Sequence, residues 1–304
     1  MNRINFCAFA DESSHFTDGQ IDALKRNGFQ GIEMRIVDEY KTLITNENGE
    51  QEEKTKELMV SDVTLEKARE VRQKFDDAGL KIWSIGSPLG KIEMGKDSFP
   101  EHLEKVKHTL EVANVFGAEN IRMFSFYIPK DTNPEIYRNE IIDRLGQMTA
   151  LAKDAGVKMC HENEKGIYGD TPERCLDILT AVPDLAAIFD PANFVQCGVD
   201  TKKAWEILGH KVKYLHIKDA LADGNVVPAG DGIGNIPYIT AEYIKRGGNS
   251  FTVEPHLVNF AALKQLEREG EESKVGLISK FSSKEEAFDF ACTRFKSIVA
   301  DILK

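Results

Sequence analysis

The 304-residue chain is 41% hydrophobic and 29% charged, a balance that supports a sizeable core and argues against intrinsic disorder. Its formal charge of -11 argues against nucleic-acid partners, because affinity for a phosphate backbone depends on cationic side chains that displace counterions. The five cysteines (Cys7, Cys160, Cys175, Cys197 and Cys292) have neither CxxC spacing nor the density of a disulfide framework, so they read as buried thiols of a reducing cytosol.

The N-terminal MNRINFCAFADE lacks a positive flank followed by a longer apolar segment, and no apolar stretch approaches membrane-spanning length. A cytoplasmic location without a membrane partner is the default expectation. From there, short apolar runs alternate with longer segments of helical periodicity, the pattern of a parallel sheet built from βα units. Eight strands are predicted near 3–9, 29–35, 80–86, 119–125, 157–162, 186–190, 212–218 and 250–255, each rich in Ile, Val, Phe or Leu. Barrels of roughly 250 residues commonly form one cooperative unit, so the expectation is a single α/β domain over 1–304, a (β/α)8 TIM barrel.

Amphipathic stripes fall between the strands, with Leu65, Ala68, Val71 and Phe75 in one helix and Leu103, Val106, Leu110 and Ala113 in another. Asn133-Pro134 and Thr171-Pro172 read as helix starts, and Gly117 and Gly156 as helix stops. Residues 38–62, 219–236 and 257–283 exceed a minimal barrel and follow strands, which places all three on the functional rim. The charged run from Lys264 to Lys274 reads as a solvated helix and turn rather than an acidic binding site. The Gly-rich stretch 229–234 matches no phosphate-binding pattern and reads as a flexible rim loop.

Late in the chain four predicted strands each end in a potential metal ligand: Glu162, Asp190, His216 and Glu254. Their intervals are 28, 26 and 38 residues, close to the about 31 residues of one βα unit in a barrel of this size. Equivalent positions on successive strands converge at one rim. Taken singly, each could be a strand-end residue satisfied by salt bridges or backbone donors. Taken as a set in register, one divalent cation would compensate all of them. Three carboxylates and an imidazole are a mainly hard donor set. Mn2+ is the expected ion, with Mg2+, Co2+ or Zn2+ as alternatives, and such a set leaves positions for two adjacent oxygens of a polyol or hydroxy ketone. Glu162 and Glu164 share a strand face, so either could be the fifth-strand ligand on alternation alone.

The motifs HisGluAsnGluLysGlyIleTyrGlyAspThrPro from 161, PheAspProAlaAsnPhe from 189, HisIleLysAspAla from 216, ValProAlaGlyAspGlyIleGlyAsnIlePro from 227 and ValGluProHisLeu from 253 resemble the sugar phosphate isomerase/epimerase family of xylose isomerase-like TIM barrels. The similarity is plain from about 156 to 256 and extends weakly through GlyIleGluMetArg at 31 and SerProLeuGly at 87. The resemblance implies a metal held by Glu162, Asp190, His216 and Glu254, with Glu162 preferred to Glu164 by the GluAsn match. It also implies that Glu162 and Glu254 form the acid/base pair. A carbonyl polarised by the metal gives up a neighbouring carbon-bound proton more readily, since the charge of the enediolate develops on a held oxygen. Two carboxylates on opposite faces can remove and return protons.

Ketose epimerases of the resembled superfamily usually carry a substrate-touching His three residues after the Asp ligand and an Arg six residues after the His ligand; Asn193 and Ala222 stand there. Lys218 is the nearest cationic replacement and either faces substrate or pairs with Asp219. Glu33 and Arg122 either bind substrate hydroxyls or form an ion pair across the barrel, and His256 is a partner of the ligand shell or a substrate donor. His15, His102, His108 and His210 read as surface residues.

The first functional expectation is therefore a metal-dependent isomerase or epimerase of a sugar, a sugar derivative or a keto-polyol, with a small-molecule carbohydrate as its partner. The alternative is a lyase of the inosose or dehydroshikimate dehydratase type, which needs a third acid at the leaving group, nominated as His256 or Lys218. An endonuclease-IV-like reading is disfavoured by the acidic charge and by the absence of the extra histidines of its zinc cluster. A non-catalytic sugar-binding barrel is the remaining reading. The added rim segments offer surface on which a homo-oligomer could form.

Overall fold

A computed structural model describes residues 3–45, 49–258, 274–275 and 281–304. Eight parallel strands close into a barrel: β1 (Asn5–Ala8), β2 (Gly31–Met34), β5 (Lys81–Ile85), β6 (Asn120–Met123), β7 (Lys158–Glu162), β8 (Ala186–Phe189), β9 (Val212–Ile217) and β12 (Ser250–Val253). Each strand pairs with its neighbour in sequence around the ring, and β1 closes the barrel against β12 through Asn5–Ser250 to Ala8–Val253. The eight predicted strands coincide with these eight. Covering both faces of such a strand requires near-continuous apolar character, which is why the short apolar runs marked them so well.

Among the described residues the helices are α1 (Thr17–Asn27), α2 (Leu65–Asp77), α3 (Phe99–Phe116), α4 (Arg138–Asp154), α5 (Pro172–Ala181), α6 (Pro191–Gln196), α7 (Thr201–Leu208), α8 (Ile236–Lys245) and α9 (Lys284–Ile302). Thr171 caps α5, accepting from the Arg174 N–H, with Pro172 in the first turn. Asn133 instead caps a 3-10 turn, Pro134–Tyr137, that leads into α4. Gly117 ends α3 with φ 66°. The inward stripes bury Leu24, Phe75, Phe116, Met148, Leu179, Trp205 and Phe295 between helices and barrel. Inside the ring, Cys7, Trp83, Cys160, Ile188 and Tyr214 form a separate apolar cluster. All five cysteines are free, and four are buried.

The rim segments leave the C-terminal ends of the strands. After β2 the chain forms an antiparallel ribbon, β3 (Ile36–Thr45) with β4 (Gln51–Met59), and after β9 a two-residue pair, β10 (Asp219–Ala220) with β11 (Val226–Val227). Most of the predicted 257–283 segment lies outside the described residues, as does the charged run up to residue 273.

One close backbone approach pins the loop after β5 to the exit of β6. Gly90 has φ 89°, and a methyl group there would lie 2.0 Å from the Phe124 carbonyl oxygen; the Phe124 N–H donates to Leu89 O at 2.8 Å. Gly146, inside α4, has open space around it. Gly90→Ala is expected to cost about 2 kcal/mol or more in urea unfolding, whereas Gly146→Ala is expected to stabilise by about 0.5–1 kcal/mol. Equal effects would mean the loop is not pinned by this contact.

Candidate active site

Alternation along the strands decides which side chains reach the mouth of the barrel. Cys160, Ile188 and Tyr214 belong to the apolar cluster inside the ring, and two residues further on, on the same face, come Glu162, Asp190 and His216. Glu254 follows Thr252 in the same way. One ligand-type atom from each of Glu162, Asp190, His216 and Glu254 lies within 4.8 Å of every other, and all four residues are buried. His216 Nδ1 stands 2.9 Å from Glu162 Oε1 and 3.6 Å from Glu254 Oε2.

Local hydrogen bonds fix these carboxylates. Asp190 caps α6, accepting from the Asn193 N–H at 2.9 Å. Asn163 locks the exits of β7 and β8 together, donating through Nδ2 to Asp190 O and accepting the Asp190 N–H at Oδ1, both at 3.0 Å. Asn193 Nδ2 donates to Glu162 Oε1 at 3.2 Å and to Asn163 O at 2.9 Å, so this buried residue braces two carboxylates. Of Glu162 and Glu164, Glu162 ends β7 and belongs to this cluster. Glu164 turns to Lys91, 2.9 Å away.

Cations surround the carboxylates. Arg122 Nη1 lies 3.2 Å from Glu162 Oε2 and 3.8 Å from Glu254 Oε1. Lys218 Nζ lies 2.9 Å from Asp190 Oδ2 and 3.0 Å from Glu254 Oε2. It does not pair with Asp219, whose carboxylate accepts the backbone N–H groups of Gly230, Gly232 and Gly234 at 2.9, 3.1 and 2.9 Å. That clamp corrects the reading of 229–234 as a flexible loop: a methyl group at Gly232 would lie 2.3 Å from Asp219 Oδ1.

Three residues that sequence reasoning passed over complete the site. Arg35, fully buried just beyond β2, contacts Glu254 Oε1 at 3.1 Å, Asp11 Oδ2 at 2.8 Å and Glu12 Oε1 at 3.3 Å. Asp11 and Glu12 sit in a 3-10 turn after β1. Arg35 is the last residue of the GlyIleGluMetArg motif and Asp11-Glu12 close the N-terminal MNRINFCAFADE, so the signal was a charge directly beyond each of two apolar strands.

Glu33 and Arg122 do not pair with one another. Glu33 lies beneath the site, entirely buried, where Oε2 is 3.1 Å from His216 Nε2 and accepts from Thr252 Oγ1 at 2.8 Å, while Oε1 accepts from Tyr214 Oη at 2.9 Å. It holds the imidazole from behind. His256, with φ 46°, places Nε2 at 3.5 Å from Glu12 and 3.4 Å from Glu254. Ala222 is exposed on the β10–β11 turn. Of the histidines read as surface residues, His210 is exposed, but His102 is buried and accepts the Gly90 N–H at 2.9 Å. His15 lies 2.5 Å from Glu39 of the ribbon, and His108 bonds Val63 O at 2.9 Å.

Six buried carboxylates (Asp11, Glu12, Glu33, Glu162, Asp190 and Glu254) thus face three permanent cations, Arg35, Arg122 and Lys218. Acid–base equilibria register the excess. Burial pushes Glu12 up to about 8 despite Arg35, and pushes Asp190 up to about 7 despite Lys218. For His216, burial works against the charged ring, yet Glu162 and Glu33 overcome it and raise it to about 10. Burial also works against ionised Glu162, but His216 and Arg122 hold it at about 2. The residues therefore fit a divalent cation: protons on His216, Asp190 and Glu12 offset charge that an ion among the four ligand-type groups would offset instead.

The family described as xylose isomerase-like TIM barrel matches residues 21–270. No curated protein matches the sequence. Among solved structures, the probable 3-DHS dehydratase AsbF from Bacillus anthracis is 17% identical, with TM-score 0.66 over 97% of this chain and 98% of that one. An IolI protein with a zinc atom is 15% identical, with TM-score 0.71 over 98% and 99%. A xylose isomerase-like TIM barrel protein from Mycobacterium smegmatis in complex with magnesium is 14% identical, with TM-score 0.67 over 100% and 98%. At these identities the likeness is one of fold. No helix among the described residues is long and apolar enough to cross a membrane.

The site's equilibria set a pH dependence. Glu12, Asp190 and His216 bind protons more tightly in the fold than at their ordinary values of 4.5, 3.8 and 6.5. Their contributions are present at low pH and are lost as pH rises through about 8, 7 and 10. Of the opposing groups, Glu162, near 2, has completed its contribution by 6.5, whereas His102 and His161, near 4, and His256, lowered well below its ordinary value, complete theirs about one pH unit above 6.5. In chelator, the thermal midpoint is expected to fall steadily from about pH 7.5 to about 9, and saturating divalent ion should flatten the fall. A midpoint that rises over this range in chelator would contradict the charge excess.

Proposed function

This chain belongs to the xylose isomerase-like TIM barrel family, and from that membership we propose that it is a divalent-metal-dependent isomerase or epimerase acting on a sugar, a sugar derivative or a keto-polyol by proton transfer at carbon. The observation that carries the proposal is the convergence of Glu162, Asp190, His216 and Glu254 within 4.8 Å in a buried pocket of excess negative charge. Mn2+ is the ion proposed; the zinc and magnesium of the two metal-bearing structures of the same fold make those ions the natural comparators.

A divalent ion held by these four residues would supply Lewis-acid polarisation of a substrate carbonyl or hydroxyl oxygen. The rest is work for the chain's own side chains. Glu162 and Glu254 come from β7 and from the end of β12, and both are held ionised, Glu254 well below its usual value because Lys218, His256 and His216 outweigh the cost of its burial. Each begins as a proton acceptor. In an isomerisation the carboxylate that takes the proton from one carbon returns it to the next. In an epimerisation the second carboxylate must first take a proton from a substrate hydroxyl or water before delivering it to the opposite face of the same carbon. Arg122 on Glu162 and Arg35 on Glu254 fix the orientation of the two carboxylates. Glu33 holds the His216 ring from its far side through Nε2, which leaves Nδ1 toward the carboxylates.

The second reading is a lyase that expels a β-hydroxyl from the same deprotonated substrate. Lys218, buried between Asp190 and Glu254, favours it as the third acid such a reaction requires. His256, turned toward Glu12 and Glu254, fits a positioning role better than a donor at the leaving group.

Metal analysis of the purified protein is expected to find about one ion per chain, lost or weakened in Glu254→Gln and His216→Ala; unchanged metal content in both variants would remove the site. In D2O, a panel of ketoses, inososes and keto-glycosides is expected to include a compound whose carbon-bound proton exchanges without loss of water. Glu162→Gln and Glu254→Gln should slow that exchange by about 100-fold or more. An unsaturated product in place of simple exchange would select the lyase.

A further inference from the structure

We propose that Lys218 is the resident counter-ion of the metal site, its ammonium standing between Asp190 and Glu254 where a divalent cation would be held, so that metal binding expels it toward the substrate. The inference rests on the metal reading given above. Each cation approaches the carboxylates from its own side. Arg122 reaches Glu162 at Oε2 and Glu254 at Oε1, and Arg35 also reaches Glu254 at Oε1. The opposite oxygens, Glu162 Oε1 and Glu254 Oε2, face His216 Nδ1 at 2.9 and 3.6 Å, toward the centre of the ligand set. Lys218 Nζ binds on that inner side, at Glu254 Oε2 and Asp190 Oδ2. The guanidiniums buttress the set from outside, while the ammonium sits within it.

Residue type and position agree with this role. An ammonium is a compact point charge on a flexible stem, able to enter a small ligand pocket and to leave it, whereas a planar guanidinium needs a fixed fork of acceptors. Lys218 lies two residues beyond His216 on one strand face, so a displaced side chain stays at the mouth of the barrel. There it becomes a hydrogen-bond donor to a substrate oxygen. Metal loading then does two things at once: it fills the acidic centre and frees a cation for substrate.

The test is calorimetric titration of Mn2+ into chelator-stripped wild type, Lys218→Met and Lys218→Arg, with thermal midpoints in chelator for all three. Removing the competing charge should tighten Mn2+ binding in Lys218→Met by about tenfold or more, while its midpoint in chelator falls below that of wild type. Lys218→Arg, which keeps the charge, should bind Mn2+ no more tightly than wild type. Should Lys218→Met fold only when Mn2+ is added, that dependence supports the same conclusion. Equal or weaker binding by Lys218→Met, or tighter binding by Lys218→Arg, overturns the proposal while leaving the metal site intact. Binding of Mn2+ by none of the three overturns the metal reading and this inference with it.

Discussion

The structure depends on compensating carboxylates that the barrel mouth removes from water. Burying one ionised carboxylate without a partner costs several kcal/mol even after relaxation, and six are gathered here. Their partners arrive from different strands. Arg35 beyond β2 answers Asp11 and Glu12 after β1, Arg122 of β6 answers Glu162 of β7, and Lys218 after β9 answers Asp190 after β8 and Glu254 after β12. No unit of one strand and one helix could neutralise its own charge. The completed site therefore needs the closed ring, and the ion pairs link strands where loops leave them.

The apolar surroundings explain how so much charge stays ordered. Below lies the apolar cluster of Cys7, Trp83, Cys160, Ile188 and Tyr214. Beside the site, the Phe9 ring lies 4.3 Å from the Arg35 guanidinium, 5.0 Å from that of Arg122 and edge-on to His216 at 5.3 Å. Gly86 leaves room for that ring; a methyl group there would lie 2.4 Å from Phe9 Cε1. The side chains are buried, the charges interact at low effective dielectric, and the carboxylates are oriented by the chain's own groups.

The barrel and the four convergent ligand-type residues were legible in the sequence because both follow from backbone periodicity. An apolar run marks a strand, alternation sets its face, and one βα unit sets the spacing, so Glu162, Asp190, His216 and Glu254 could be placed without tertiary information. The partners were not legible in the same way. Asp11, Glu12 and Arg35 lie just past strand ends, where the direction of a side chain depends on the loop that follows. The pairing of Glu33 with His216 rather than Arg122 depends on depth inside the ring, which alternation does not encode. His102 looked like a helix-surface residue because its acceptor role serves Gly90, in a different βα unit. The glycines of 229–234 suggested freedom, yet their bare amides converge on Asp219 and give a rigid clamp.

That clamp bears on how the proposed site could choose its substrate. With Asp219 engaged by three loop amides, Ala222 exposed on a turn and Asn193 committed to Glu162 and Asn163, the wall on the β8–β9 side offers a ligand few uncommitted donors. The strong donors at the mouth, Arg35, Arg122 and Lys218, are each bound to carboxylates of the proposed metal-ligand set. A substrate oxygen can gain one of them only as the charge around that carboxylate changes. In the proposed chemistry substrate recognition and cation occupancy would draw on the same ion pairs, so the two could not be tuned independently: a substitution that strengthens the grip on the ion would alter which donors remain for the substrate.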